Sequence, residues 1–291
     1  MGCSKESRFE VINLLKDKYP VQLLCGIANV SRSGYYKWLT RRQNDDKNSD
    51  IKKHIQAEYQ RLKGIYGYRR MTTLLRKKYS YLVNHKKVYR LMKIMDLQSR
   101  IRRKRPHFKY ATKVHHTTLN VLNRQFNADV PNQKWVTDIT YLVVNGHRFY
   151  LSVILDLFNN EVISYQLSNH ATLCFVINTV QDAVQNRSIC NTLLHSDQGG
   201  QYVSKEYMEL LKSYGIEQSM SRKGNCLDNA AIECFFSHLK TEFVYNQKFI
   251  SKEQFIAQLD QYIYFYNNER FQAKLKQMAP VKYRDHYSES A

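Results

Sequence analysis

One predicted helix carries a glutamate and a lysine whose spacing would suit phosphate chemistry. Glu233 and Lys240 lie seven residues apart, about two turns of an α-helix, so their side chains share one side of it. A neighbouring stripe of the same helix is apolar and comprises Ile232, Phe235, Phe236, Leu239 and Phe243. A carboxylate that faces a sheet with a lysine beside it could bind a metal ion and a phosphate.

Two aspartates occupy comparable positions in predicted strands. Asp138 lies within an alternating strand, and Asp197 follows a short strand directly before Gln198-Gly199-Gly200. Each acid alone also has an ordinary structural interpretation. Asp138 suits an exposed strand face, Asp197 suits a turn and Glu233 suits a solvent-exposed helix surface. The three positions therefore define a candidate site only in combination.

The elements that would position these acids are strands and helices. Residues 134–143 alternate in polarity, and Asn145-Gly146 is a hairpin turn signal, so a strand meander is predicted. The predicted order is three strands, helix, strand, helix, strand and helix. These elements span 134–143, 149–157, 162–167, 171–184, 192–195, 205–214, 217–220 and 229–243. A tyrosine-rich helix is predicted over 255–267.

The N-terminal part is predicted to be helical and basic. Its predicted helices span 8–18, 21–30 and 33–40, followed by 51–62, 67–78 and 85–95. The break at Val30-Ser31-Arg32-Ser33-Gly34 favours a helix-turn-helix, whose second helix would lie in a DNA groove. That helix carries Tyr35, Tyr36 and Lys37. Any small helical hairpin has a similar pattern, so this interpretation stays open.

The basic charge is concentrated in the N-terminal part. Residues 1–113 hold 29 Lys and Arg against 8 Asp and Glu, whereas residues 114–291 hold 16 against 17, within a net charge of +20. This distribution predicts salt-sensitive affinity for DNA or RNA, with a solvated basic surface as the alternative. The run from Arg100 to Arg105 ends at Pro106 and is interpreted as an extended basic arm between domains. A disordered linker is the other interpretation.

Composition excludes several classes of protein. No apolar run is long enough to span a bilayer, and the start of the sequence lacks the apolar core of a signal peptide. Six cysteines form no CxxC pair, so neither a zinc module nor a disulfide framework is predicted. We therefore expect a cytoplasmic protein with reduced thiols and no membrane partner.

Several strings of the sequence resemble one known family. They are KWVTDITYL (134–142), HSDQGGQY (195–202), SRKGNCLDNAAIECFFSHLK (221–240) and YNNERFQAKLKQMAPVKY (266–283). SRSGYYKWL (31–39) and YGYRRM (66–71) extend the similarity towards the N-terminus. Together they resemble the bacterial insertion-sequence transposases of the OrfB type, which share the retroviral integrase core. The resemblance covers nearly the whole chain.

The resemblance implies a fold and an activity. The fold would be α/β, with an RNase H-like core of a mixed five-stranded sheet and flanking helices, preceded by all-α helix-turn-helix segments. The activity would be that of a DNA transposase, which cleaves DNA strands at the ends of its mobile element and joins 3′-hydroxyl ends. The family's acidic triad falls on Asp138, Asp197 and Glu233, and its basic residue falls on Lys240.

The same resemblance implies a metal site. Three carboxylates brought together repel one another unless divalent cations neutralise them, and oxygen ligands favour Mg²⁺ or Mn²⁺. Two ions per active site are expected, with Asp138 bridging both and with Asp197 and Glu233 each completing one site. Lys240 would hold a DNA phosphate near the scissile bond.

Other residues are weaker candidates. Asp156 competes for the first acidic position but suits a turn at a strand end, and His195 could contact the site or be structural. Asn225, Asp228 and Asn229 are expected to cap or shape the start of the last helix, and Asn229 could contact substrate. A DNA contact by Arg270 is one possibility beside packing. Predicted DNA contacts outside the first helices are Arg69, Arg70, Lys86, Lys87, Arg102, Arg103, Lys104, Arg105, Arg222 and Lys223.

The predicted domains follow these segments. They are a helix-turn-helix segment (1–44), a second helical DNA-binding segment (48–98), a basic arm (99–130), the integrase-like core (131–245) and a C-terminal helical extension (246–291). Expected partners are double-stranded DNA, comprising terminal inverted repeats and target, and further copies of the chain on DNA in the bacterial nucleoid. An OrfA segment would add a coiled coil, and no heptad repeat is present here.

Two other functions remain open from the sequence. A DNA-binding regulator with an inactive core would need only the basic N-terminal part, but it would have no use for an intact acidic triad. An RNase H-type nuclease would act on RNA:DNA hybrids, but the basic helical segments favour DNA ends.

Overall fold

The computed structural model describes residues 4–43, 47–101, 118–222 and 226–289. They divide into two units, Met1–Arg61 and Leu62–Ala291, and the division falls inside the predicted helical segment 48–98. The predicted DNA contacts Arg102, Arg103, Lys104, Arg105 and Lys223 lie outside the described residues, as does Asn225. Within these described ranges, the helices lack the length and apolar character that a membrane span requires.

The first unit is helical. It contains α1 (Lys5–Leu15), α2 (Val21–Ile27), α3 (Arg32–Gln43) and α4 (Ser49–Arg61). The Ser4 hydroxyl accepts a hydrogen bond from the Ser7 amide and so caps α1. Asn29 follows α2 with a left-handed φ of 51°, which ends the helix and makes the predicted break before α3.

The second unit begins with two helices and a sheet. The helices are α5 (Tyr68–Tyr79) and α6 (His85–Ile94), and the strands are β1 (Lys134–Val144), β2 (His147–Asp156), β3 (Val162–Ser168), β4 (Leu193–Ser196) and β5 (Glu217–Met220). The five strands lie in the order β3-β2-β1-β4-β5. The first three are antiparallel, whereas β4 pairs in parallel with β1 and β5 in parallel with β4. The predicted mixed five-stranded sheet is confirmed.

The hairpin between β1 and β2 is a two-residue turn. Asn145 and Gly146 both have positive φ, 50° and 79°, and they connect the paired residues Val144 and His147. This conformation matches the twist of the two strands and is the reason an Asn-Gly pair predicts the turn.

Helices cover both faces of the sheet. They are α7 (Leu173–Asn186), α8 (Lys205–Ser213), α9 (Ala230–Leu239), α10 (Lys252–Asn268) and α11 (Pro280–Ser288). The single helix predicted over 229–243 is divided, since a 3-10 turn (Cys226–Asn229) precedes α9 and a π-helical turn (Lys240–Val244) follows it. Helix α11 was not predicted, although Pro280 is a start signal for it.

Two apolar cores lie on the two faces of the sheet. Val136 and Leu142 of β1 pack in one core with residues of α9 and α10. Trp135 of the same strand packs in the other core with residues of α7 and α8. Strand β1 is central, so its first half is buried on both faces, and α9 is held against the face that carries Asp138.

Candidate active site

Parallel pairing of β1 and β4 places two of the predicted acids side by side. The register pairs Val136 with His195; Asp138 lies two residues further along β1, and Asp197 directly follows the end of β4. Neighbouring strands lie about 4.8 Å apart, so the two aspartates project from adjacent positions at the end of the parallel pair. Neither periodicity nor composition contains this adjacency, because it depends on which strands pair.

Helix α9 brings the third acid and the lysine to the same strand. It packs against β1, and its buried residues are Ile232, Phe235, Phe236 and Leu239. Glu233 is in the first turn of α9, where the partial positive charge of a helix start stabilises a carboxylate. Lys240 begins the π-helical turn, and its Nζ donates to Thr140 Oγ1 at 2.6 Å and lies 5.3 Å from the Tyr141 ring centroid.

The acids influence one another electrostatically. Burial raises the pKa of Asp138 to about 8, assisted by the charges of Asp197 and Glu233 and opposed by Lys240 and by the Ile139 amide hydrogen bond. Burial of the carboxylate from water also raises the pKa of Asp197, although the hydrogen bond from the Gly199 amide lowers it. The structure therefore gathers carboxylates whose negative charge is only partly balanced by protein groups.

The acids of the site differ in their exposure to solvent. In the part of the chain that the structure describes, no group of three or more His, Cys, Asp or Glu side chains is close enough to hold a metal ion. Glu233 is solvent-exposed, whereas Asp138 is half-buried.

A glycine that the sequence analysis did not select fixes the carboxylate of Asp197. The Gly199 amide donates to Asp197 Oδ1 at 2.8 Å. A Cβ at Gly199 would lie 2.9 Å from the same oxygen, whereas a Cβ at Gly200 would meet nothing within 4 Å. The sequence predicts only a turn at this Gly-Gly pair, because the different surroundings of its two members depend on the folded backbone.

His195 lies on β4 and is fully buried. Its Nδ1 lies 2.8 Å from Ser219 Oγ and its Nε2 lies 3.0 Å from Ser221 Oγ, so both ring nitrogens have partners on or beside β5. Burial lowers the pKa of His195 to about 4, against the effect of Asp228, so the ring is neutral at physiological pH. Of its two predicted roles, the geometry supports the structural one.

Asn229 shapes the start of α9 without a side-chain capping hydrogen bond. It occupies the N-cap position of that helix. Its Nδ2 instead donates to the Thr137 carbonyl at 3.4 Å, because the residue is buried against β1. Asn229 therefore ties the start of α9 to the strand that carries Asp138.

Asp228 shapes the start of α9, as the sequence predicted. Its buried carboxylate accepts from Arg222 Nε at 2.9 Å, Arg124 Nε at 2.8 Å and Asn120 Nδ2 at 2.9 Å. The hydrogen bonds of Arg222 hold the pKa of Asp228 well below its usual range, although burial opposes them. Arg222, a predicted DNA contact, is thereby paired within the protein while half of its side chain stays exposed.

Asp156 and Arg270 lie away from the gathered acids. The Asp156 carboxylate is buried and accepts from the amides of Asn132 and Phe158, each at 2.9 Å, as expected for a turn at a strand end. Arg270 is only 1% exposed and donates to both carboxylate oxygens of Glu242, at 2.8 and 2.6 Å. The possible DNA contact by Arg270 is therefore replaced by a buried ion pair.

The sequence matches models of known protein families. Two integrase core domain families match residues 128–226 and 233–287, and an HTH-like domain family matches residues 45–105. The putative transposase InsK for insertion sequence element IS150 of Escherichia coli is 44% identical over 277 residues, covering 95% of this chain and 97% of that protein. The chain belongs to the insertion-sequence transposases. The resemblance found in the sequence is confirmed.

Another transposase and a solved structure are also similar to this chain. Transposase InsF for insertion sequence IS3A of Escherichia coli is 34% identical over 251 residues, covering 84% of the transposase chain and 87% of that protein. A solved structure of the HTLV-2 integrase catalytic core domain in complex with magnesium has a TM-score of 0.42 and 17% identity, covering 54% of the transposase chain and 98% of that one. The HTH-like match includes α4, α5 and α6, whereas the sequence pattern predicts a helix-turn-helix within residues 1–44.

The predicted DNA contacts of the transposase differ in accessibility. Tyr36, Lys37, Arg69 and Lys86 are exposed, and Lys87 and Arg70 are half-buried. Tyr35 is the exception, because it is fully buried in the core formed by Ile12, Leu24 and Cys25. Its hydroxyl donates to Asn13 Oδ1 at 3.3 Å. The prediction that Tyr35 contacts DNA is therefore wrong, since its ring faces its own helical unit.

Substitution of these adjacent tyrosines should separate packing from surface effects. We expect Tyr35→Ala to destabilise the first unit by about 3 to 5 kcal/mol, the usual cost of removing a buried aromatic ring. Tyr36→Ala removes a side chain that is 49% exposed and should change stability by about 0.5 kcal/mol or less. Urea unfolding followed by circular dichroism measures both. Equal destabilisation by the two variants would contradict the packing of Tyr35.

Proposed function

We propose that this transposase binds the ends of its mobile element, cleaves DNA strands there and joins the 3′-hydroxyl ends to target DNA. Asp138, Asp197 and Glu233 would be its catalytic acids, acting with Mg²⁺ or Mn²⁺. The adjacency of Asp138 and Asp197 on the parallel strands is the observation that supports this proposal best. Membership of the transposase family supports the class of substrate.

The donor set fits a hard divalent cation. All three side chains offer carboxylate oxygens, which Mg²⁺ and Mn²⁺ prefer. The raised pKa of Asp138, caused first by burial and then by Asp197, indicates negative charge that Lys240 balances only in part. Asp138, Asp197 and Glu233 would hold two such ions. When bound, such ions supply charge neutralisation at the phosphate and lower the pKa of an attacking water or hydroxyl.

The protein's own residues would position the DNA. Lys240 is held on the Asp138 face of β1 by Thr140 and the Tyr141 ring, and its ammonium group would bind a phosphate oxygen next to the scissile bond. The Gly199 backbone amide would keep the Asp197 carboxylate oriented. The Asn229 side-chain amide would hold the start of α9 in place against β1. Groups that the protein already holds in place lose little orientational freedom on reaching the transition state, so the activation free energy is lower.

A cleavage assay with two substrates tests the proposal. The unaltered chain with Mg²⁺ should nick a duplex that carries the end of its own element and should leave an RNA:DNA hybrid of the same sequence intact. Preferential cleavage of the hybrid would identify an RNase H-type nuclease. Binding of the duplex without cleavage in either Mg²⁺ or Mn²⁺ would identify a DNA-binding regulator and contradict the catalytic proposal. Assays with added OrfA segment and measurements of oligomeric state on DNA test the proposed partners.

The two neighbouring glycines offer a sharper test of how Asp197 is placed. Gly199→Ala should reduce strand cleavage by about 10- to 100-fold, because the new Cβ would displace the Asp197 carboxylate and a misplacement of about 1 Å is that costly. Gly200→Ala adds the same methyl group in open space and should change cleavage by about twofold at most. Cleavage rates and thermal unfolding are measured for both. Equal rates would show that the Gly199 contact has no part in placing Asp197.

A further inference from the structure

A cavity of about 400 Å³ lies beside the end of α9, away from the gathered acids. Its walls come from the start of α5, from residues 99–101 and from the end of α9 with the π-helical turn. The side chains that matter for its chemistry are Arg69, Arg70, Arg100, His238, Thr241 and Glu242. All of these residues belong to the second unit.

The charge of this cavity is positive. Glu242 is its one acid among the described lining residues, and Arg270 already donates to both oxygens of that carboxylate from within the core. Arg70 Nη1 is 3.9 Å from Glu242 Oε1 and competes with Arg270 for the same charge. Burial, followed by the charge of Arg270, lowers the pKa of Arg70. The positive charge of the three cavity arginines is therefore larger than the negative charge of Glu242, the acid that lines the cavity with them.

The backbone adds to this positive character. Gly67 is the N-cap of α5, it provides no side-chain cap, and the first turn of this 12-residue helix contains no acid. The start of a helix presents unpaired amides and a partial positive charge. Gly67 also allows close packing, because a Cβ there would lie 3.1 Å from Ser99 Oγ. The Arg100 amide donates to the Gly64 carbonyl at 3.1 Å, which fixes Arg100 at the rim of the cavity.

We propose that this cavity binds one phosphate of a DNA backbone, held by Arg69, Arg70 and Arg100. Planar guanidinium groups match phosphate oxygens, and three of them around one cavity suit a single tetrahedral anion. This inference rests on the proposed function, since it assigns a place to the DNA that the acids would cleave. His238 is five residues beyond Glu233, about 8 Å along the helix axis. At about 3.4 Å per nucleotide, the bound phosphate would lie about two to three nucleotides from the scissile one.

Single neutral phosphates in the DNA test the inference. The probe is a duplex bearing the element end, labelled with a fluorophore, in which one phosphate at a time is replaced by an uncharged methylphosphonate. Binding of the full chain is measured by fluorescence anisotropy without divalent metal. For the unaltered chain, we expect one position within about three nucleotides of the cleavage site to weaken binding by about tenfold. In Arg100→Ala and Arg69→Ala, the methylphosphonate at that position should weaken DNA binding no further.

Arg90→Ala is the matched control, because Arg90 is an exposed arginine of α6 outside the cavity. It should retain the full tenfold effect of the neutral phosphate. Thermal unfolding checks that the variants, all at exposed positions, remain folded. This inference is wrong if DNA still binds and each methylphosphonate weakens binding by the same factor in Arg100→Ala as in Arg90→Ala. The proposed function would then stand. If the unaltered chain binds no duplex, both are overturned.

Discussion

Replacement of Asp197 by asparagine should reduce strand cleavage and strand joining by about 1000-fold. Asparagine retains the size of the side chain but loses the charge that would hold a divalent cation beside Asp138. Loss of that electrostatic stabilisation costs several kcal/mol in the transition state, and each 1.36 kcal/mol corresponds to a tenfold change in rate. Rates are measured with Mg²⁺ on a duplex carrying the element end, at saturating protein.

Binding of the same duplex should be nearly unchanged in Asp197→Asn, because the basic segments that attract DNA are intact. The matched control is Asp129→Asn, which makes the same chemical change at an exposed aspartate upstream of β1. Its cleavage rate should stay within about twofold of the unaltered chain. Cleavage at the normal rate by Asp197→Asn would remove Asp197 from the catalytic acids. Loss of DNA binding together with cleavage would point to a folding defect instead.

Most elements of the core were predictable because their signals are local. Strand β5 was predicted over the four residues that form it, and Asn145-Gly146 identified the hairpin between β1 and β2. The side-by-side placement of Asp138 and Asp197 was implied by the family resemblance. Its physical cause is the parallel register of β1 and β4, which links residues about 60 positions apart and has no local signature.

The incorrect predictions share a physical origin. Tyr35 and Tyr36 are neighbours of equal hydrophobicity, and only the packing of α3 against Ile12 and Leu24 decides which ring is buried. Periodicity continued through Lys240, yet the helix becomes π-helical there. The open choice between packing and DNA contact at Arg270 had the same cause, because its partner Glu242 is 28 residues away in sequence. Each outcome depends on tertiary packing, which local patterns do not contain.

Breaking the buried ion pair of Glu242 and Arg270 should strongly destabilise the second unit. Arg270 donates to both Glu242 oxygens, and Tyr262 donates to Glu242 Oε2 at 3.0 Å. Arg270→Met should destabilise this unit by about 3 to 5 kcal/mol, because it removes the main partner of a buried carboxylate. Urea denaturation monitored by tryptophan fluorescence measures the change, since Trp135 is buried in this unit.

A double variant shows whether the cost of Arg270→Met comes from the unpaired buried charge of Glu242 or from lost packing of the arginine side chain. Glu242→Leu combined with Arg270→Met removes both charges and fills their space with apolar groups. We expect it to be more stable than Arg270→Met alone by about 2 kcal/mol or more, because replacing a buried pair is often neutral whereas breaking it is costly. If the double variant is no more stable than the single one, the cost arises from lost packing of the arginine stem rather than from unpaired charge.

Acidification should weaken the same ion pair in a predictable direction. Burial alone would raise the pKa of Glu242, but the hydrogen bonds and charge of Arg270 outweigh it and hold that pKa below its ordinary value of 4.5. A carboxylate whose pKa is lowered by folding contributes stability that is fully present above its unfolded pKa and is lost as the pH falls through the folded value. Unfolding free energies measured from pH 7 down to pH 3 should therefore decline below about pH 4.5. In Glu242→Gln the decline should be smaller, because a neutral amide replaces the titrating group, whereas an unchanged slope would assign the acid sensitivity to other carboxylates.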